Sequence, residues 1–280
     1  MKWCAGFPCA TRERGESSNM NFFQTIAVAF AMFSAIPCPQ PVWTEKNMRY
    51  SLCAFPLIGA VCGLLWWGWT ALMGYVGGSV LLQAGGLCAI PVLVTGGIHL
   101  DGYADTSDAL GSYGSPEKKR EILKDPRCGA FAVIRLCTWF VVYFALCASI
   151  KWDSRALWCM GLAFVLERCL SGFANAAFPL AKNIGLAHTF AAAADKKKVR
   201  AVLLVASVVL AVALIVVGGL AGVAMVLAAG WILWRYYHIA QKQFGGITGD
   251  LAGWFLQRAE IWMLGALAAV QLLEGMKWFS

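Results

Sequence analysis

Charge is what this sequence has least of: only 14% of its 280 residues are Asp, Glu, Lys or Arg, against 60% hydrophobic residues. That balance excludes an ordinary soluble domain, in which about a quarter of the residues are charged. Histidine is almost absent, with three in the chain, and the 11 cysteines are scattered singly through apolar runs with no CxxC pair. A zinc site or a disulfide scaffold therefore has no support, and the thiols are expected to serve as small packing residues. No signal-peptide core precedes a small-residue cleavage site. Residues 1–20 are polar and mixed in charge, and they read as a loose tail ahead of a single transmembrane domain, residues 21–280.

What is present instead is a series of long apolar runs, at about residues 51–74, 79–98, 130–150, 156–178, 199–218, 220–239 and 251–273. Each approaches the roughly 20 residues that a transmembrane helix needs. The fold class is thus all-α, a polytopic integral membrane helical bundle of about seven spans. Phe22 to Ile36 adds a shorter apolar segment that stops at Pro37. An interfacial, a re-entrant and a mismatched spanning placement all fit its length.

The polar segments 38–50, 99–129, 179–198 and 240–250 are each separated from the next by two spans, so all four fall on one face of the membrane. That face carries Lys46, Arg49, Lys118, Lys119, Arg120, Lys124, Arg127, Lys182, Lys196, Lys197, Lys198, Arg200, Arg235 and Lys242, whereas the other has Lys151, Arg155 and Lys277. By the positive-inside rule the polar face is cytoplasmic. The net charge of +8 suits anionic head groups or phosphate-bearing substrates. Nucleic acid fits poorly, because the basic residues lie in short loops.

Between Thr95 and Gly111 an apolar run ends in Asp101, Asp105 and Asp108, spaced i, i+4 and i+7. On a helix, steps of about 100° bring the three within roughly 60° of one another on one face. Such a stripe repels itself unless a cation sits within it. Hard oxygen ligands suit Mg²⁺, which takes one or two carboxylates, several waters and phosphate oxygens. A solvated, N-capping acidic turn outside a membrane helix fits the same spacing. Gly96-Gly97-Ile98-His99-Leu100-Asp101 recurs as Gly245-Gly246-Ile247-Thr248-Gly249-Asp250, each copy closing an apolar run on the same face. Paired glycines admit a ligand to the backbone and the aspartate adds an oxygen, so a shared site where Asp101 and Asp250 converge is the favoured reading.

Other residues carry two readings each. Lys124, Asp125 and Arg127 stand where the chain re-enters the bilayer, and the guanidinium there either grips phosphate bidentately or fixes a helix end at head-group level. Glu167 and Arg168 lie inside a span, and Arg258 and Glu260 lie in the last one; they face a polar cavity or pair with each other. Arg135 is close enough to a helix end to snorkel. Asp195-Lys196-Lys197-Lys198 reads as a topological charge cluster. His188 and His238 read as interfacial or packing residues, which leaves His99 as the histidine placed for substrate contact.

Taken together, GGIHLDGYADTSDALGS, the following LKDPRCGAF, the Gly185-Leu186 loop and FGGITGDLAG resemble the cobalamin synthase family, the adenosylcobinamide-GDP ribazoletransferases. Arg49 with Phe55-Pro56-Leu57-Ile58-Gly59 is similar to that family's early segment, and the likeness covers roughly residues 21–270. It implies an enzyme that joins adenosylcobinamide-GDP to α-ribazole or its 5′-phosphate, releases GMP and requires Mg²⁺. Carried onto this sequence, it assigns Asp101, Asp105 and Asp250 to the metal, and Asp108 to the metal or to the base that orients the attacking hydroxyl. Arg127, Lys124 and Arg168 would bind phosphate, Gly96, Gly97, Gly245 and Gly246 would admit the nucleotide, and Arg49, His99 and Thr248 would touch substrate. The expected setting is a bacterial cytoplasmic membrane with the site facing the cytoplasm. Membrane lipid is a partner, nucleic acid is not, and a homo-oligomer is compatible with the sequence. A CDP-alcohol-type phosphotransferase and, further off, a cation transporter are the rival readings.

Overall fold

The structure, a computed structural model, describes residues 22–181 and 194–276. The expectations for residues 1–20, Lys182, the Gly185-Leu186 loop, His188 and Lys277 lie outside the described residues. Inside a bilayer each backbone polar group must be satisfied within its own segment, and the apolar runs accordingly form helices. In chain order these are α1 Phe22–Phe33, α2 Glu45–Met48, α3 Ser51–Ala54, α4 Pro56–Val76, α5 Val80–Thr95, α6 Ile98–Gly111, α7 Pro116–Ile122, α8 Ala130–Ser149, α9 Ser154–Ala177, α10 Lys196–Gly218, α11 Leu220–Ile239 and α12 Gly249–Met276, with a π-helical turn at Ala240–Phe244.

Among the described residues, six helical stretches are long and apolar enough to cross a membrane, and a bent pair, α5 with α6, would make a seventh crossing. The run expected as a plain span at 79–98 is where the structure departs from expectation. It breaks after Thr95, and α6 leaves α5 at 93°. Gly96 and Gly97 make the corner with φ of +63° and +78°, and the Gly97 N–H donates to the Val92 carbonyl at 3.0 Å. This is a left-handed helix cap, which costs a glycine little and strains any other residue. The acid-bearing α6 therefore leaves the line of α5 and packs against α8 and α12. Among the described residues α1 has 12 residues, about 18 Å of helix against a hydrocarbon core of about 30 Å.

The two ends of the bundle are distinct, as the alternation of loops requires. At the polar end the Tyr50 hydroxyl donates to Asp195 at 3.4 Å, Arg120 donates to the Phe244 carbonyl at 3.3 Å, and the Ala181 N–H donates to the Ile247 carbonyl at 3.0 Å. These contacts tie all four polar segments together. At the other end Trp69 donates to the Gln83 carbonyl at 3.0 Å, the Lys151 N–H donates to Gln271 at 3.0 Å, and Arg155 donates to the Gly218 carbonyl. Between them, Trp66 is 1% exposed and meets the rings of Trp152 and Phe164 edge-on at 5.1 and 5.0 Å. The α4–α9 crossing is close because Gly63 faces Gly161, where an added Cβ would stand 2.9 Å from the Gly161 Cα. Small residues at such crossings let membrane helices approach.

Candidate active site

The site is built by a second glycine crossing, between α6 and the first turns of α12. A Cβ on Gly102 would lie 2.7 Å from the Asp250 carbonyl oxygen and 2.9 Å from its Cα, and one on Gly253 would lie 2.8 Å from the His99 carbonyl oxygen. Backbone thus touches backbone, and Asp101, next to Gly102, is brought beside Asp250. The Asp101, Asp250 and Asp108 carboxylates are the charges that act on Asp105. The two glycine-aspartate turns therefore converge at one end of the bundle, as expected. Gly102 and Gly253 themselves were not singled out from the sequence, although each sits within three residues of a site aspartate.

Asp250 occupies the first turn of α12, a position where the helix dipole favours an acid. The Thr248 hydroxyl accepts the Leu251 N–H at 3.2 Å and so caps that helix. Thr248, expected to touch substrate, is thereby occupied in holding Asp250 in place. Asp108 departs from expectation in a similar way. Its carboxylate rests against Gly129, where a Cβ would occupy the same space, and it accepts the Ala132 N–H at 3.4 Å. It caps α8 from outside and sits at the edge of the acid rim. Among the described residues, no group of three or more His, Cys, Asp or Glu side chains is arranged to hold a metal ion by itself.

The four motif glycines divide. Gly245 and Gly246 have φ of +75° and +145°, so both turns depend on glycine. A Cβ at Gly97 would meet nothing within 4 Å and so faces open space, whereas one at Gly245 would touch the Arg120 guanidinium at 3.5 Å. Gly96 is filled by Ala35, with a Cβ contact of 3.0 Å, and Gly246 lies against Leu180 and Ala181. Of the four glycines expected to admit a nucleotide, Gly96 and Gly246 have the space beside them filled by neighbouring residues and Gly97 does not.

The basic residues also separate. Arg127 is held by Asp125 through two side-chain bonds, Nε to Oδ1 at 2.9 Å and Nη2 to Oδ2 at 2.7 Å. These bonds hold the Asp125 carboxyl down at about 2 and raise Arg127. The Arg127 side chain is 86% exposed, and Lys124 beside it is also exposed. Arg49 is exposed with Asp195 as its acidic neighbour. Arg168, expected to bind phosphate, is instead 1% exposed and donates to Glu167 at 2.7 Å and to the Phe164 carbonyl at 2.9 Å. Its Nη1 is committed inside the bundle while its Nε has no partner among the described residues, and in the same interior Glu260 accepts the Tyr143 hydroxyl at 2.6 Å. The structural pairing is the reading that fits Glu167 and Arg168. His99, 6% exposed, meets the Phe55 ring edge-on at 5.8 Å, and its Nε2 has no partner among the described residues.

Comparison with known proteins gives a consistent result. A family model described as cobalamin-5-phosphate synthase matches residues 25–268. An adenosylcobinamide-GDP ribazoletransferase of Lachnoclostridium phytofermentans is 42% identical over 258 residues, which cover 91% of this chain and 96% of that protein. One from Pseudomonas syringae pv. syringae is 31% identical, covering 86% of this chain and 97% of its own length. No solved structure matches. A family model that spans nearly the whole helical bundle, joined to relatives matched along almost their full length, shows that this chain belongs to the cobalamin-5-phosphate synthase family.

Proposed function

We propose that the chain carries out its family's joining step at the acid rim. Adenosylcobinamide-GDP and α-ribazole, or α-ribazole 5′-phosphate, are converted into adenosylcobalamin, or its 5′-phosphate, and GMP. The observation that carries this reading is the α6–α12 crossing, which sets Asp101 beside Asp250 with Asp105 close by. A ribose hydroxyl attacks the phosphorus bonded to cobinamide, a new O–P bond forms, and the diphosphate P–O bond breaks as GMP leaves with its phosphate. Such transfers depend on positioning and on neutralising charge around phosphorus.

One or two of the carboxylates of Asp101, Asp105 and Asp250 would suffice for a hard divalent cation, because Mg²⁺ takes one or two carboxylates and completes its shell with water and substrate oxygens. Bound there, Mg²⁺ would neutralise the diphosphate oxygens. The chain's own residues do the rest. Gly97 leaves backbone open to the nucleotide, and Lys124 and Arg127 offer donors to phosphate at the mouth. Asp108 keeps α8 in register with α6, a positioning role in place of the metal ligand or base expected of it.

The surplus of Lys and Arg at the rim end supports a site that faces the cytoplasm across a bacterial inner membrane. The family match lends no support to a CDP-alcohol phosphotransferase or a cation transporter. Asp101→Asn and Asp250→Asn are expected to lose GMP release from adenosylcobinamide-GDP while inserting normally and keeping helix content. Wild-type turnover in either variant removes that residue from the site.

A further inference from the structure

Three arginines, Arg135, Arg235 and Arg258, form no ion pair with a carboxylate among the described residues. Arg258 on α12 has Arg135 of α8 and Arg235 of α11 as its charged neighbours, both of like sign, with the Tyr103 hydroxyl beside it. The Arg258 guanidinium lies 5.7 Å over the Trp254 ring, and its Nε is buried without a partner. Like charges gathered without a counterion are unfavourable, and a buried unpaired donor adds to the cost. Such a cluster has the chemistry of an anion site.

The surroundings say which anion. Counting along the helices from the polar end, Arg235 lies roughly 6 Å inside and Arg135 roughly 8 Å, near the head-group and acyl boundary, and Arg258 lies roughly 14 Å inside, below that boundary. A groove of about 510 Å³ runs along α11 here, lined by Trp231, Trp234, Arg235, His238 and Lys242 among others. Its two indoles stack at 5.0 Å and are 48% and 50% exposed. They face outward from the bundle, as aromatic belts do where chains meet head groups.

We propose that Arg135, Arg235 and Arg258, with the Trp231–Trp234 ledge, form a binding site for the phosphate and upper acyl chain of an anionic phospholipid. The phosphate lies between the guanidiniums and the chain lies along the indoles. Because Tyr103 belongs to α6, the occupied site also braces the helix that carries the acid rim. The lipid claim rests on these residues alone and stands whether or not the rim performs the proposed reaction.

The test is lipid retention by the purified full chain in detergent, read by native mass spectrometry after titration with equal amounts of phosphatidylglycerol and phosphatidylcholine. Wild type is expected to retain phosphatidylglycerol preferentially. Arg235→Gln with Arg258→Gln is expected to lower that preference by about fivefold for each guanidinium removed. Arg235→Lys with Arg258→Lys, which keeps the charge, is expected to retain most of it. Lys196→Gln with Lys197→Gln, basic residues elsewhere on the same face, is expected to change nothing. Equal retention of the two lipids by wild type, or a preference untouched by the double glutamine variant, overturns the proposal. So does displacement of the lipid by millimolar inorganic phosphate or GMP, which would assign the cluster to a soluble phosphate. Helix content measured on each variant separates these results from misfolding.

Discussion

Gly102→Ala is the sharpest probe of how the site is held together. The new Cβ would lie 2.7 Å from the Asp250 carbonyl oxygen, whereas ordinary contact begins at 3.4 Å, so the first turn of α12 must retreat by about 0.7 Å. Nothing flexible can yield, because both opposing atoms belong to the backbone. Overpacking of this kind costs about 1–3 kcal/mol in stability. Its larger effect falls on alignment, where a misplacement near 1 Å can cost about 100-fold in rate. GMP release by the purified protein in vesicles is therefore expected to fall by about 10- to 100-fold, with membrane insertion and helix content preserved. Gly253→Ala should act in the same direction, since its Cβ would meet the His99 carbonyl oxygen at 2.8 Å. Gly74→Ala is the control: its Cβ meets nothing within 4 Å, and turnover should not change. A full rate in Gly102→Ala would refute the claim that the α6–α12 separation sets the site.

Arg127→Gln is expected to raise KM for adenosylcobinamide-GDP about tenfold, the scale of one charged hydrogen bond, with little change in kcat. The Asp125 carboxyl that holds Arg127 has its pKa depressed from 3.8 to about 2, so the pairing is present above the higher value and lost only as pH falls through the lower. The KM effect should therefore be constant between about pH 5 and pH 9, which a KM–pH series checks. Arg168→Met should destabilise the fold by about 3–5 kcal/mol, because Glu167 is left buried without its partner; thermal unfolding in detergent measures this. Lost turnover with unchanged stability would instead put Arg168 in contact with substrate.

The number of crossings and the shared face of the polar loops were legible because bilayer thickness and loop parity act on the chain directly. The acid stripe was legible because Asp101, Asp105 and Asp108 follow the helical repeat, and α6 is a helix across all three. The 93° corner was not, since a glycine pair is compatible with a continued helix until tertiary packing selects the left-handed cap. The same limit explains Arg168 and Asp108. Each has a charge that suits phosphate or metal chemistry, and only the neighbours brought by folding, Glu167 with the Phe164 carbonyl for one and the Ala132 N–H for the other, show that the side chain is already engaged. Gly102 and Gly253 escaped notice because a close crossing leaves no trace in the periodicity of either helix.

One short pairing has consequences for what the chain tolerates. The Ile247 N–H donates to the Pro179 carbonyl at 2.9 Å, and its own carbonyl accepts the Ala181 N–H at 3.0 Å. This clasp stops the chain from sliding between the π-turn and α12. A residue inserted after Ile247 could not be taken up upstream; it would turn the start of α12 by about 100° and swing Asp250 away from Asp101. The stretch from Gly245 to Asp250 thus works as a spacer of fixed length, in which register matters as much as side-chain chemistry.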